Sequence, residues 1–227
     1  MNIIFYFSGS GKSRRLAEYL GKELGFSVIN IIDCPYDFSA ELAVVVFPVY
    51  CQNIPEPMKA FLSKLKAEKV AFAVTYGKKS YGNVIEEAAN LTNSEFIGGV
   101  CIPCGHSFLF EPDDFDFASL MPFIERINNP QKAEAEHSKK DFYADIFPAQ
   151  RTAIGIKINR NVSCIECGNC SEICPVAAIK NGRINNNCIG CLRCVNECPE
   201  KALDFKARRF LKFYLKKNRK NKIKLFL

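Results

Sequence analysis

Eight of the twelve cysteines lie between residues 164 and 198, in two runs of the form C-x2-C-x2-C-x3-C-P. Each cysteine of the second run follows its counterpart by 24 residues, which indicates an internal duplication. Three cysteines spaced in this way wrap a tight loop, so their thiolates converge and can bind an iron–sulfur cluster. The first run contains Cys164, Cys167, Cys170 and Cys174, and the second contains Cys188, Cys191, Cys194 and Cys198.

Two other uses of cysteine fit these runs less well. Structural zinc sites favour two widely separated pairs of ligands, which differs from a doubled run of three plus one. Met1 leads directly into a strand-like apolar run with no basic stretch before it, so we expect no secretory signal and a cytoplasmic protein. Disulfides are rare in that compartment, so metal ligation is the favoured interpretation.

Residues 160–205 resemble the two-cluster bacterial ferredoxins, in which the fourth cysteine of each run binds the other cluster. The resemblance implies a small α+β domain with two [4Fe-4S] clusters and crossed ligands. One cluster would be held by Cys164, Cys167, Cys170 and Cys198, and the other by Cys188, Cys191, Cys194 and Cys174.

Apolar runs alternate with helical patterns through the first 130 residues. Five runs predict strands buried on both faces: Asn2–Phe7, Ser27–Ile32, Glu41–Phe47, Val70–Thr75 and Glu95–Cys101. Helical spacing predicts helices at Ser13–Leu24, after Pro57, at Asn83–Asn90 and at Phe115–Ile127. This alternation predicts an α/β fold with a parallel sheet, whose ligands bind at the carboxyl ends of the strands.

The loop after the first predicted strand, Ser8 to Ser13, precedes a helix and is therefore suited to bind a phosphate. A nucleotide-triphosphate P-loop would need glycine where the chain has Tyr6, so that alternative is disfavoured. The region resembles flavodoxins, which implies a doubly wound five-stranded parallel sheet of order 2-1-3-4-5 that binds FMN. Lys12 stands where flavodoxins commonly have Asn. The implied phosphate site comprises Ser8, Gly9, Ser10, Gly11, Lys12 and Ser13.

Two further loops would flank the flavin ring in a flavodoxin-like domain. Flavodoxins stack the ring between aromatic side chains of these loops, which implies Tyr50 on one side and Tyr76 or Tyr81 on the other. The implied contacts are Pro48, Val49, Tyr50 and Asn53 from the first loop, and Thr75, Tyr76, Gly77, Tyr81, Gly82 and Asn83 from the second.

The remaining cysteines and histidines carry no clear motif. Cys101 and Cys104 are separated by two residues, but they are predicted to be free thiols rather than a redox pair. Cys51 lies in the first of the two flavin loops. Free thiols are also predicted at Cys34, and loop or surface positions at His106 and His137.

The net charge of +7 arises from the C-terminal tail, because residues 205–227 contain ten Lys or Arg and no acidic residue. Its apolar residues recur at helical spacing, so it could contact an anionic membrane or an acidic partner, or form a solvated tail. No nucleic-acid recognition motif accompanies the charge. No apolar run approaches the roughly 20 residues of a membrane-spanning helix.

The two halves together resemble the EFR1-type family of anaerobic flavodoxin/ferredoxin fusion proteins. The predicted division is a flavodoxin-like domain at 1–130, a connector at 131–159, a ferredoxin-like domain at 160–205 and a basic tail at 206–227. The resemblance implies electron transfer between a redox partner protein, the two clusters and FMN. An alternative is an FMN-dependent oxidoreductase that reduces a small molecule with electrons from its clusters. A third is an iron–sulfur adaptor that has lost its flavin.

Overall fold

The computed structural model describes residues 1–33, 39–145, 155–180 and 182–227, so Cys34 lies outside the described residues. The N-terminal part contains five strands and four α-helices that alternate along the chain. The strands are β1 (Asn2–Tyr6), β2 (Ser27–Asn30), β3 (Ser39–Pro48), β4 (Lys66–Tyr76) and β5 (Glu95–Pro103). The helices are α1 (Lys12–Leu24), α2 (Glu56–Leu62), α3 (Val84–Asn90) and α4 (Met121–Asn128).

The five strands form one parallel sheet in the order β2-β1-β3-β4-β5. The chain crosses from β2 over β1 to β3, so the direction of winding changes between β1 and β3. Ligands of open α/β sheets bind at such a point, outside the carboxyl ends of the strands. The prediction of an α/β fold with a parallel sheet is therefore confirmed.

Side chains of each strand alternate between two buried layers. Phe5 and Phe72 face the layer that contains α2 and α3, whereas Ile4 and Ala71 face the layer that contains α1 and α4. Helix α1 buries Leu16 in the second layer and ends where Gly25 takes a left-handed φ of 70°. Burial on both faces explains why the strands appear in the sequence as continuous apolar runs.

The C-terminal part forms a second, smaller unit around the cysteines, here called the cysteine module (residues 155–207). Strands β6 (Ile156–Arg160) and β9 (Leu203–Ala207) pair antiparallel and bring its two ends together. Between them lie a two-stranded ribbon and, in each run, a short helix that contains the third cysteine. These elements are α5 (Asn169–Glu172), β7 (Ile179–Lys180), β8 (Arg183–Ile184) and α6 (Arg193–Asn196).

The basic C-terminal segment is folded onto both units. Helix α7 (Arg209–Lys216) buries Leu215, and strand β10 (Lys224–Phe226) pairs antiparallel with β5. The sheet therefore has six strands rather than the predicted five, and the sixth runs opposite to its neighbour. Phe226 is 3% exposed, so the end of the tail packs in the core, whereas Phe210 and Phe213 of α7 are exposed. Contact of the tail with a membrane or an acidic partner stays a prediction.

No helix among the described residues combines the length and the apolar character needed to cross a membrane.

Candidate functional site

A cavity inside the cysteine module brings together cysteines from both runs. Its cysteine lining consists of Cys174 from the first run and Cys188, Cys191 and Cys194 from the second. Apolar side chains, including Ile158 and Ile179, close the rest of this cysteine cavity. The grouping is the crossed set that the C-x2-C-x2-C-x3-C-P pattern assigns to one cluster.

Backbone N–H groups point at three of the sulfur atoms. Ala178 N donates to Cys174 Sγ at 3.2 Å, and Ala202 N donates to Cys198 Sγ at 3.3 Å. The two bonds occupy equivalent places in the duplicated runs. Gly190 N also donates to Cys188 Sγ, at 3.4 Å. Such bonds stabilise thiolate charge and help to set the reduction potential of a bound cluster.

The electrostatics of the cysteine cavity favour a positively charged occupant. Burial is the largest cause that raises the pKa of the Cys194 thiol, to about 12, and charge on neighbouring cysteines raises it further. These neighbours are Cys191, Cys188, Cys174 and Cys170. Thiolates so close together repel one another, and a bound metal centre reverses that repulsion. The donor set therefore fits an iron–sulfur cluster.

The remaining four cysteines do not line the cysteine cavity, although Cys170 packs in the same apolar cluster as Cys174 and Cys194. Asn169 Nδ2 donates to Glu197 O at 2.8 Å, which ties helix α5 to the residue before Cys198. Cys167 is exposed, whereas Cys164, Cys170 and Cys198 are half-buried. Among the described residues, no three His, Cys, Asp or Glu side chains converge on the position of a single metal ion. The ligands of a four-iron cluster bind different iron atoms and stand farther apart than those of one ion.

A second cavity, here called the loop cavity, lies at the carboxyl ends of β1, β3 and β4. Its walls from these strand ends are Ser10, Lys12, Pro48, Val49, Tyr50, Thr75 and Gly77. The segment after β5 contributes residues 104–108, and the cysteine module contributes Gly190 and Cys191. Cys191 thus lines both the loop cavity and the cysteine cavity.

The residues of the predicted phosphate loop have different surroundings. Lys12 Nζ lies 2.8 Å from Asp113 and donates to Glu111 O at 2.7 Å, so its charge is already paired. Ser10 Oγ accepts a hydrogen bond from Ser107 at 2.8 Å. The buried Ser13 hydroxyl lies 2.8 Å from that of Thr75. Of the predicted loop, Ser10 and Lys12 line the loop cavity, whereas Ser8, Gly9, Gly11 and Ser13 do not.

The N-terminus of α1 remains suited to an anion. Gly11 has a φ of +88° and precedes the helix without a side-chain cap, and the first turn has no acidic residue. A Cβ atom at Gly11 would meet no atom within 4 Å. The first-turn N–H groups of this 13-residue helix therefore favour a negatively charged group, and phosphate binding there stays a prediction.

A third cavity, of about 280 Å³, adjoins the loop cavity and is lined mainly by apolar and aromatic side chains. Val49, Gly77, His106 and Phe108 line both cavities. Its remaining walls come from the β3 and β4 loops, the connector and helix α7. They are Cys51, Gln52, Lys79, Ser80, Tyr143, Ala144, Gly155, Phe210, Leu211, Tyr214 and Leu215. The volume and lining of this apolar cavity suit a flat organic ring.

Tyr76 and Tyr81, the alternatives for one side of the ring, line neither the loop cavity nor the apolar cavity. Tyr76 is buried and donates its hydroxyl to Lys222 O at 2.6 Å, while Tyr81 packs edge-on against Tyr76. Ring stacking by one of them stays a prediction. Tyr50 lines the loop cavity.

Other predicted ring contacts act by shaping the β3 loop. Asn53 Nδ2 donates to the carbonyl groups of Cys51 and Ala144, both at 2.8 Å. A Cβ atom at Gly82 would lie 2.7 Å from Gln52 O, so glycine permits this close contact. Asn83 immediately precedes helix α3.

Sequence analysis missed the aromatic wall of the apolar cavity. His106 and Phe108 follow β5 at the same sheet edge as the other loops, which is the one signal that could have indicated them. Tyr143, Phe210 and Tyr214 come from the connector and the tail, and their long-range contacts leave no local pattern.

Comparison with known proteins identifies the cysteine module. Residues 162–180 and 183–204 match the Fer4 family, described as a 4Fe-4S binding domain. The chain has no match among curated proteins. A 4Fe-4S ferredoxin domain thus follows an α/β domain, and it supports [4Fe-4S] binding and iron–sulfur electron transfer.

Proposed function

We propose that this protein transfers electrons between a redox partner protein, two [4Fe-4S] clusters and FMN. The observation that carries the proposal is the position of Cys191, which lines the cysteine cavity and the loop cavity together. When bound, the clusters carry single electrons, whereas the flavin carries one or two. A wall shared by the two sites would place the cofactors next to each other.

FMN would extend over two adjoining cavities of the α/β domain, with its phosphate in the loop cavity and its ring in the apolar cavity. Ser10 and the first-turn N–H groups of α1 would hold the phosphate in the loop cavity, and Lys12 would lie beside it with its charge paired to Asp113. Val49, Phe108 and Tyr214 would contact the ring in the apolar cavity. The β2-β1-β3-β4-β5 strand order supports a flavodoxin-like domain. A ferredoxin domain that follows such a domain in one chain supports membership of the EFR1-type flavodoxin/ferredoxin fusion family.

The eight cysteines of the two runs would hold the clusters in crossed sets. Cys174 would join Cys188, Cys191 and Cys194, which line one cavity with it. Cys198 would complete the set of Cys164, Cys167 and Cys170. The N–H bonds to Cys174, Cys188 and Cys198 would stabilise the ligated thiolates.

The partner protein would dock beside the cluster that contains Cys167, here called the outer cluster. The cluster that contains Cys174 and Cys188 is called the inner cluster. Cys167 is exposed, and the neighbouring Ile165 is 65% exposed. Val162, at the start of the same loop, is also fully exposed. Apolar side chains around a surface ligand suit a transient protein contact, so electrons would enter or leave here and pass through the inner cluster.

The small-molecule oxidoreductase has less support. Such an enzyme needs a proton donor near the ring, for which the predicted flavin loops offer Tyr76, Tyr81 and Cys51, and of these three Cys51 alone lines the apolar cavity. Helix α7 contributes Phe210, Leu211 and Tyr214 to another wall of this cavity. A proton relay to a small substrate therefore rests on Cys51 alone among these three donors.

A rapid-mixing experiment tests the proposal. The anaerobic protein, loaded with iron, sulfide and FMN, is mixed with a reduced ferredoxin too large to enter the apolar cavity. The visible flavin absorption should bleach in the wild type and far more slowly in Cys188→Ala, which lacks an inner-cluster ligand. Cys101→Ala, at a cysteine that lines neither cavity of the α/β domain and belongs to neither run, is the matched control and should bleach at the wild-type rate. Equal rates in Cys188→Ala and the wild type would contradict the proposal.

A further inference from the structure

We propose that the C-terminal strap, residues 217–226, positions the flavin site, and that Arg219 acts as the positioning residue through Glu111 and His106. The inference rests on the proposed FMN site. It assigns a role to a basic tail that the sequence places outside every domain. Three sets of contacts carry it.

The first contact is a two-fold ion pair between the strap and the loop after β5. Both terminal nitrogens of Arg219 donate to the Glu111 carboxylate, with Nη2 2.7 Å from Oε2. Both side chains are about three-quarters buried. Hydrogen bonding to Arg219 is the largest cause that lowers the pKa of Glu111, to about 2. Two-pronged Arg–carboxylate pairs fix geometry as well as charge, so this pair defines where the loop lies.

Glu111 is also hydrogen-bonded to two residues that line the proposed cofactor cavities. Its Oε2 accepts the N–H of His106 at 2.7 Å, and its carbonyl oxygen accepts Lys12 Nζ at 2.7 Å. His106 lines both the loop cavity and the apolar cavity. A Cβ atom at Gly77 would lie 2.3 Å from the His106 ring, so the ring rests directly on the β4 loop.

The strap also holds the opposite wall. Lys220 N donates to Lys78 O at 2.7 Å, and Lys79 Nζ donates to Lys217 O at 2.6 Å. These bonds hold the loop that contributes Gly77, Lys79 and Ser80 to the apolar cavity. Strand β10 then fixes the end of the strap to β5.

Two walls of the cavity are therefore attached to one segment of chain. Without the strap, the β4 and β5 loops would lose these bonds and keep fewer, such as Ser80 to Gln52 and Ser107 to Ser10, and a ligand would have to order them further on binding. That ordering reduces affinity, whereas a site ordered in advance avoids the cost. Arg219 should accordingly strengthen FMN binding without touching the flavin.

The test compares FMN binding in full-length, cluster-loaded variants by flavin fluorescence titration. Arg219→Ala and Glu111→Gln should bind FMN at least tenfold more weakly, which corresponds to about 1.4 kcal/mol. Arg219→Lys keeps the charge but not the two-pronged geometry, so its affinity should be intermediate. Lys216→Ala, which removes an exposed cation just before the strap, is the control and should bind within twofold of the wild type.

Two further readouts separate positioning from general destabilisation. Amide hydrogen exchange at residues 104–111 should quicken in Arg219→Ala and not in Lys216→Ala. At saturating FMN, the visible flavin spectrum of Arg219→Lys should differ from that of the wild type, because His106 lines the site. The visible absorption of the iron–sulfur clusters should be unchanged in Arg219→Ala and in Arg219→Lys.

The outcomes distinguish this inference from the proposed function. If the wild type binds FMN and Arg219→Ala binds it equally well, the strap has no positioning role and the FMN site stands. If the wild type binds no FMN, the proposed function fails, and this inference fails with it. If Arg219→Ala does not fold, Glu111→Gln and Arg219→Lys decide between these outcomes.

Discussion

Gly9 and Cys191 are in direct backbone contact, since a Cβ atom at Gly9 would lie 2.1 Å from the carbonyl oxygen of Cys191. Asn196 Nδ2 also donates to Gly9 O at 3.0 Å. The loop after β1 is therefore the surface on which the cysteine module rests. Because the loop adjoins the proposed phosphate site, we expect docking and cofactor proximity to depend on this contact.

Gly9→Ala should separate the two units. Gly9 does not have a left-handed φ, so alanine acts here through the contact with Cys191 alone. We expect a loss of about 1–3 kcal/mol in the free energy of docking, the range for overpacking a close contact. Small-angle scattering should show a larger particle, and electron exchange between clusters and flavin should slow.

Asn196→Ala provides a graded comparison at the same contact. It removes one hydrogen bond, which contributes about 1 kcal/mol, and leaves the backbone contact in place. Its effect on both readouts should be smaller than that of Gly9→Ala. Wild-type dimensions and exchange rates in Gly9→Ala would show that docking at this loop is not required.

Pairs of cysteine substitutions test the crossed ligand sets. Cys174→Ala combined with Cys194→Ala removes two ligands of one proposed cluster, so about four irons per chain should remain. Cys174→Ala combined with Cys164→Ala removes one ligand from each cluster and should leave few or none. Iron analysis after anaerobic reconstitution would show the reverse ranking if each run held its own cluster.

Phe226 and Phe213 form a matched pair in the C-terminal segment. Phe226 is 3% exposed in β10, whereas Phe213 is 62% exposed on α7. Phe226→Ala should lower the free energy of unfolding by about 3–5 kcal/mol, as for a core aromatic. Phe213→Ala should change it by less than about 0.5 kcal/mol. Equal thermal stability of the two variants would mean that the segment is not part of the core.

Alkylation should distinguish the free thiols of the α/β domain. Burial raises the pKa of Cys104 to about 12 and raises that of Cys101 as well, so neither forms a thiolate at pH 8. Cys51 is exposed and lines the apolar cavity. Iodoacetamide should therefore label Cys51 in the native protein, and bound FMN should slow that labelling. Rapid labelling of Cys104, assigned by peptide mass spectrometry, would contradict this picture.

The part of the fold that follows from local pattern was predictable from the sequence. Val44 and Val45 face opposite buried layers, so β3 is apolar from Leu42 to Pro48 and appears there as a continuous run. The C-x2-C-x2-C-x3-C-P spacing likewise pointed to the module that matches the 4Fe-4S binding domain. Both signals depend on neighbours in the sequence.

The remaining features depend on contacts between distant residues. Strand β10 has three residues in a basic segment, too few to show alternation, and its pairing with β5 sets its place. Tyr76 lies at the end of β4 and faces the core, where its hydroxyl donates a hydrogen bond to the carbonyl oxygen of Lys222. Lys12 suggested a phosphate ligand, but Asp113, far along the chain, pairs with it.

The most direct test of the central claim is the cofactor content of protein purified without oxygen. Iron, sulfide and flavin are measured per chain, and EPR spectra are recorded after reduction. The account predicts about eight irons, a matching amount of sulfide and about one FMN, with signals from two reduced clusters. A colourless preparation, or one that holds zinc and no flavin, would contradict it.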